Sequence, residues 1–223
     1  MAARSRLALR PGSARRFFWL STFAVAMGIL EAAVVVYLRE LYYPEGFRFP
    51  LVAIPDRVAF VEVAREAMTI LMLLAVAALS GRDALDRFFV FGFLFGVWDV
   101  MYYATLRLVL GWPDSLQAWD VLFLIPVPWV SPVLYPLIVS VALVVGFVAH
   151  ELVRGRGAQI RPGRVGWAFA AAGAAGIVAS FCWRSREALQ APTPGAFPVA
   201  LFAACFVLAL APFLLGGVRA LRE

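Results

Sequence analysis

The sequence predicts an all-α protein, a polytopic transmembrane helical bundle of about six spans, and three observations carry that prediction. The composition is 63% hydrophobic and only 15% charged, with a mean hydropathy of +0.86, whereas soluble chains are about half apolar and about a quarter charged. Six apolar runs, at 17–38, 57–79, 88–110, 131–152, 164–183 and 196–218, each approach the ~20 residues needed to cross ~30 Å of hydrocarbon at ~1.5 Å per residue. The basic residues are divided unevenly between the loops at the two ends of these runs. The runs are continuous rather than alternating, which argues against barrel strands and leaves helices to satisfy the backbone within lipid.

The first run follows a basic stretch, as the apolar part of a signal peptide would. It continues past Ala24-Val25-Ala26 to the length of a full crossing, so a retained span is expected. All 20 basic residues are arginine. Arg4, Arg6, Arg10, Arg15 and Arg16 precede the first span, Arg82 and Arg87 follow the second, Arg154, Arg156, Arg161 and Arg164 follow the fourth, and Arg219 and Arg222 follow the sixth. The opposite side holds Arg39, Arg48, Arg57, Arg184 and Arg186, while Arg65 and Arg107 fall inside spans. The positive-inside rule therefore places both termini in the cytoplasm. A net charge of +6 spread over short loops in this way is a topology signal, and no nucleic-acid partner is expected.

The outer connections are more than turns. Tyr42 to Asp56 contains Pro44, Gly46, Pro50 and Pro55 among Phe47, Phe49 and Leu51, the composition of a loop lying on the membrane surface. Gly111 to Ser131 carries Trp112, Trp119 and Trp129, with Pro126, Pro128 and Pro132 in and beside the apolar stretch 121–130. Ten apolar residues broken by prolines are too few to cross, so a Pro/Trp-rich interfacial or re-entrant segment is expected; a fourth span that begins early and kinks is the alternative. Gly92 and Gly96 form a Gly-x-x-x-Gly in the third span, and the fifth is built from Ala and Gly, which predicts close helix packing. The division that results is a basic cytoplasmic tail (1–16), a four-span core with the re-entrant segment (17–153), a cytoplasmic loop (154–163), and a two-span packing hairpin with a short tail (164–223).

Charged side chains inside spans are the informative ones, because each costs about 2.5–3.5 kcal/mol at the bilayer centre even on insertion scales. They are Glu31 in the first span, Glu62, Arg65 and Glu66 in the second, and Asp99 and Arg107 in the third. Counted from the run boundaries, all lie between the centre and the outer leaflet. Glu62 and Glu66 share a helix face, Arg65 is three residues from Glu62, and Asp99 shares a face with Tyr102 and Tyr103. A single polar cluster open to the outside is the expectation, with Asp120 and Glu40 as a roof and Trp98 and Trp119 beside it. Glu31, Glu62, Glu66 and Asp99 are the candidate ion or proton ligands, and Arg65 and Arg107 the counter-charges. A purely structural role for the cluster, holding helices together through hydrogen bonds, stays open.

Oxygen ligands suit a hard divalent cation such as Mg²⁺, Ca²⁺ or Mn²⁺. No nucleotide, haem or zinc motif occurs; the single histidine, His150, sits at the cytoplasmic end of the fourth span and is expected to be structural. Cys182 and Cys205 have no ligand spacing and are expected to be small buried hydrophobes.

The stretches Gly96-Val-Trp-Asp-Val-Met-Tyr-Tyr103, Leu110-Gly-Trp-Pro-Asp-Ser115 and Trp119-Asp-Val-Leu-Phe-Leu-Ile-Pro-Val-Pro-Trp129 resemble a family of uncharacterised bacterial multi-span membrane proteins. The segments 37–47 and 61–67 are similar to that family too. The resemblance implies a bacterial inner-membrane setting and supplies no catalytic residues. Three functions remain in competition: a cation- or proton-coupled carrier or channel, a membrane-embedded enzyme acting on a lipid or isoprenoid, and a non-catalytic subunit or assembly factor. Whether the chain is an enzyme is left open by the residues.

Overall fold

The computed structural model describes residues 13–192 and 194–222. Arg4, Arg6 and Arg10 of the basic N-terminal stretch lie outside the described residues. The chain is a helical membrane bundle. Its long helices are α1 (Ser13–Tyr42), α2 (Asp56–Ser80), α3 (Ala84–Leu110), α4 (Leu134–Gly155), α5 (Gly163–Cys182) and α7 (Val199–Ala220). With the short α6 (Ser185–Gln190) continuing α5, these give six segments long and apolar enough to cross a bilayer. Large apolar side chains such as Phe60, Leu79, Leu108 and Val207 stand on the outside, as expected where the surrounding solvent is lipid.

α3 is the central helix and packs against α1, α2 and α4, while α5 and α7 form a second pair joined to the rest mainly through α4 and the connection before it. Small residues set these distances. A Cβ on Gly96 would lie 2.5 Å from the Ser140 carbonyl oxygen and 2.9 Å from Val144 Cγ2, so α3 and α4 approach as closely as glycine permits. Gly96→Val should force them apart and cost about 1–3 kcal/mol, seen as a lower thermal midpoint in detergent. Gly146→Ala, whose new methyl would sit 3.6 Å from Phe89, should be nearly neutral in the same assay.

The ends of α3 show how local chemistry fixes it. Asp83 caps its start, its carboxylate accepting from the Asp86 amide at 2.9 Å, and α3 stops at Gly111, which takes the left-handed conformation (φ 67°) that glycine adopts without steric cost. The cap bond, aided by the Arg154 ion pair at 2.7 Å, holds the Asp83 carboxyl below its usual range. This contribution to stability is therefore present at neutral pH and is lost as pH falls through the lowered value.

The Pro/Trp-rich segment is a β-hairpin, not the early start of the fourth helix. β1 (Trp119–Phe123) pairs antiparallel with β2 (Trp129–Pro132), Asp120 opposite Ser131 and Val121 opposite Val130, with an irregularity between Val121 and Phe123. The sequence explains the choice: Pro126 and Pro128 lack the amides a helix would use and fall in the turn, while the strands are aromatic and β-branched. The hairpin folds back along α3. Phe123 meets Phe95 and Trp98 with ring centroids 6.5 and 6.2 Å away, and Phe95 lies 15 residues before the end of α3, a drop of about 22 Å. α3 itself is about 40 Å long, some 10 Å more than the hydrocarbon. The hairpin tip therefore lies beside the middle turns of α3 and not at its end.

Candidate functional site

Between α2 and the α5–α7 pair, which share little direct packing, lies a cavity of about 1440 Å³. Its walls come from α1, α2, α3, α4, α5, α7, the hairpin and the 43–55 loop. Along α3 the lining runs from Phe88 to Tyr103, about 22 Å of helix. One end is wholly apolar, built from Phe88, Phe89, Trp167, Ala171, Ala174 and Phe213. The other holds every charged group of the lining: Glu31, Arg39, Glu62, Arg65, Glu66, Asp99 and Asp120.

The charged residues are connected in a definite order. Arg65 is the hub: its Nε lies 3.1 Å from both Glu62 carboxylate oxygens, its Nη2 lies 2.7 Å from Glu62 Oε2, and its Nη1 pairs with Glu31. Thr69 donates to Glu31 Oε2 at 3.3 Å. Glu66, one turn beyond Glu62 and 6% exposed, accepts the Leu124 backbone N–H at 2.9 Å through Oε2. This bond anchors the hairpin tip to α2. Asp99 accepts from the Ser140 hydroxyl at 2.8 Å. At the mouth, Arg39 Nη2 pairs with Asp120 Oδ1 at 2.9 Å, and the guanidinium sits in the corner made by the Trp112 and Phe47 rings, 3.6 and 4.4 Å from their centroids, the two rings being nearly perpendicular. These contacts tie α1 to the hairpin, to the 43–55 loop and to the segment after α3.

Of the residues singled out from the sequence, Glu31, Glu62, Arg65, Glu66, Asp99, Trp98, Tyr102, Tyr103 and Asp120 line this one cavity. Three are not brought to it. Arg107 is exposed and turns to the end of its own helix, donating to the Gly111 carbonyl, where the unsatisfied carbonyls of a helix C-terminus attract a cation. Trp119 packs instead on Phe197, and Glu40 faces outward. Arg39 was placed among the loop arginines by sequence, yet it sits inside α1 and is 7% exposed. Only the fold brings Asp120 to it, from 81 residues away.

A second charged cluster lies at the arginine-rich end. Asp86, fully buried, takes Arg16 Nη2 at 2.8 Å and the Arg82 amide at 2.8 Å. Glu151 takes Arg16 at 3.1 Å and Arg82 at 3.2 Å. His150 is also fully buried, stacked on Phe89 at 4.4 Å with Nε2 3.3 Å from Asp86. Asp86, His150 and Glu151 offer three ligand atoms within 4.8 Å of one another, a spacing compatible with a metal ion. However, two guanidiniums already balance the two carboxylates, and an added divalent cation would have to displace them. The arrangement is an ion-pair network that locks α1, α3 and α4 together. Sequence reasoning missed it because Asp86 sits at a helix start, where an acid is unremarkable.

No family model, curated protein or solved structure matches the chain.

Proposed function

We propose that this protein handles a lipid-like amphiphile inside the membrane, taking the apolar tail into the groove between α2 and the α5–α7 pair and holding the polar head at the carboxylate-rich end. The observation that carries this reading is the polarity gradient of the cavity, about 15 Å of apolar wall along α3 from Phe88 to Trp98 leading to a cluster of charged groups. An ion needs no such tail space. Each methylene withdrawn from water into such a groove is worth about 0.8 kcal/mol, but a tail arriving from the bilayer gains little, so specificity must come from the head. We place the chain in a bacterial cytoplasmic membrane with its arginine-rich end inside, which puts the head site in the outer half of the bilayer.

Native mass spectrometry of the detergent-purified protein tests this. Bound lipid should be retained, and Ala174→Trp, which fills the apolar end, should remove most of it. Val207→Trp, on an exposed face outside the cavity, should not. Lipid content equal in all three proteins would refute the reading.

One observation favours a second reading, cation- or proton-coupled transport: Glu66 and Asp99 have no guanidinium partner among the described residues. A hard divalent cation bound there would be found by elemental analysis and lost in Glu66→Gln. Absence of metal in both proteins, with retained lipid, would leave the amphiphile reading alone.

A further inference from the structure

The charge balance and hydrogen-bond balance of the cavity select a head group. Five carboxylates, Glu31, Glu62, Glu66, Asp99 and Asp120, face two guanidiniums, Arg39 and Arg65. Both guanidiniums are already engaged, Arg65 by Glu31 and Glu62 and Arg39 by Asp120. Arg65 is engaged through Nε and both Nη atoms, and among the described residues Arg39 keeps its buried Nη1 without an acceptor, as Asp120 keeps Oδ2 without a donor; an anionic head would add to an existing surplus of negative charge.

The two carboxylates without a guanidinium among the described residues are Asp99, facing α4, and Glu66, at the hairpin tip. Glu66 reaches Leu124 there with one oxygen, and its other oxygen has no protein donor among the described residues. The neighbouring Phe123 touches both Trp98 and Trp129. The indole Nε1 of each is buried without an acceptor, although both rings line the cavity and Trp98 is only 5% exposed. A buried indole N–H ordinarily finds a partner. Asp99 follows Trp98 directly in α3. The residues lining the cavity thus include carboxylate oxygens without donors and two indole N–H groups without acceptors among the described residues.

Resting on the amphiphile reading, we infer that the head group carries an amine together with a hydroxyl or carbonyl oxygen. The amine pairs with Glu66 and Asp99, and the oxygen accepts from Trp98 and Trp129. Such a head satisfies both indoles and offsets the negative surplus, whereas a phosphate or carboxylate could accept from the indoles but would add to that surplus.

The test is calorimetric binding to the full chain in detergent micelles, using probes of one tail length: a long-chain amino diol such as sphinganine, the simple alkyl amine, the alcohol, the fatty acid and the alkyl phosphate. The amino diol should bind most tightly, ahead of the alcohol by roughly ten- to hundredfold, the range for hydrogen bonds to charged groups. Glu66→Gln preserves an acceptor for Leu124 and should bring the amino diol close to the alcohol. Trp98→Phe keeps the ring and removes only the N–H; it should weaken the amino diol severalfold while leaving the alkyl amine unchanged. Alkyl phosphate or fatty acid binding as tightly as the amino diol would overturn the head-group assignment while leaving the amphiphile reading intact. No binding by any probe, together with no effect of Ala174→Trp on retained lipid, would overturn both.

Discussion

Arg65→Met should destabilise the protein by about 3–5 kcal/mol, the cost of leaving buried charges without their partner. Arg65 is the counter-charge of two carboxylates at once, with the Glu62 and Glu31 side chains only 8% and 11% exposed. Methionine keeps most of the packing volume and removes only the guanidinium, so Glu31 and Glu62 are left facing each other in an apolar wall. The loss falls where the bundle has little to replace it. α1 and α2 share little direct helix packing, and the Glu31–Arg65–Glu62 triad spans the gap between them. Thermal unfolding in detergent should show a midpoint lower by roughly 10 °C. Adding Glu31→Gln and Glu62→Gln to Arg65→Met should recover most of that loss, because neutral amides no longer need a cation. A midpoint for Arg65→Met within a degree or two of the wild type would show that the triad does not join the helices.

The same triad marks how far the sequence could be read. Six spans were legible because hydropathy and length are local properties, and the grouping of Glu62, Arg65 and Glu66 followed from helical spacing alone. That Glu31 and Asp99 would line the same cavity was inferable only as a matter of depth, since charges at one level of a bilayer seek one another. What could not be read was direction across the bundle. Arg107 and Arg39 both lie near the ends of spans, yet one turns to its own helix end and the other is clasped by Trp112, Phe47 and Asp120. Nothing in their flanking residues separates these outcomes. The hairpin was half legible: its prolines argued against a crossing, but the pairing of Trp119 with Pro132 and the contact of Leu124 with Glu66 depend on long-range geometry. His150 was expected at an interface and is instead fully buried, stacked on Phe89 with the Asp86 carboxylate 3.3 Å from Nε2, although neither ring nitrogen makes a hydrogen bond among the described residues.

That carboxylate is the second position from which a large effect is expected. Asp86→Leu should cost about 3–5 kcal/mol by the same mechanism with the sign reversed, leaving cations rather than anions unpaired. Asp86 accepts from Arg16 of α1, from the backbone amide of Arg82 before α3, and lies against His150 of α4. Leucine would strip Arg16 of one of its two carboxylates and orphan the Arg82 amide, while the buried His150 would lose the only carboxylate within salt-bridge distance among the described residues. Asp86→Asn keeps the shape and an acceptor for the Arg82 amide, so its cost should be smaller, and the gap between the two variants measures how much of the lock is charge and how much is hydrogen bonding. Because Asp86 is fully buried, the penalty should change little between low and high salt, unlike that of a surface pair. Thermal unfolding of both variants at two ionic strengths decides this. An Asp86→Leu protein as stable as the wild type would mean that Glu151 alone neutralises Arg16 and Arg82. A penalty that vanishes in high salt would mean that water reaches the network and that the three helices are held at this end by apolar packing alone.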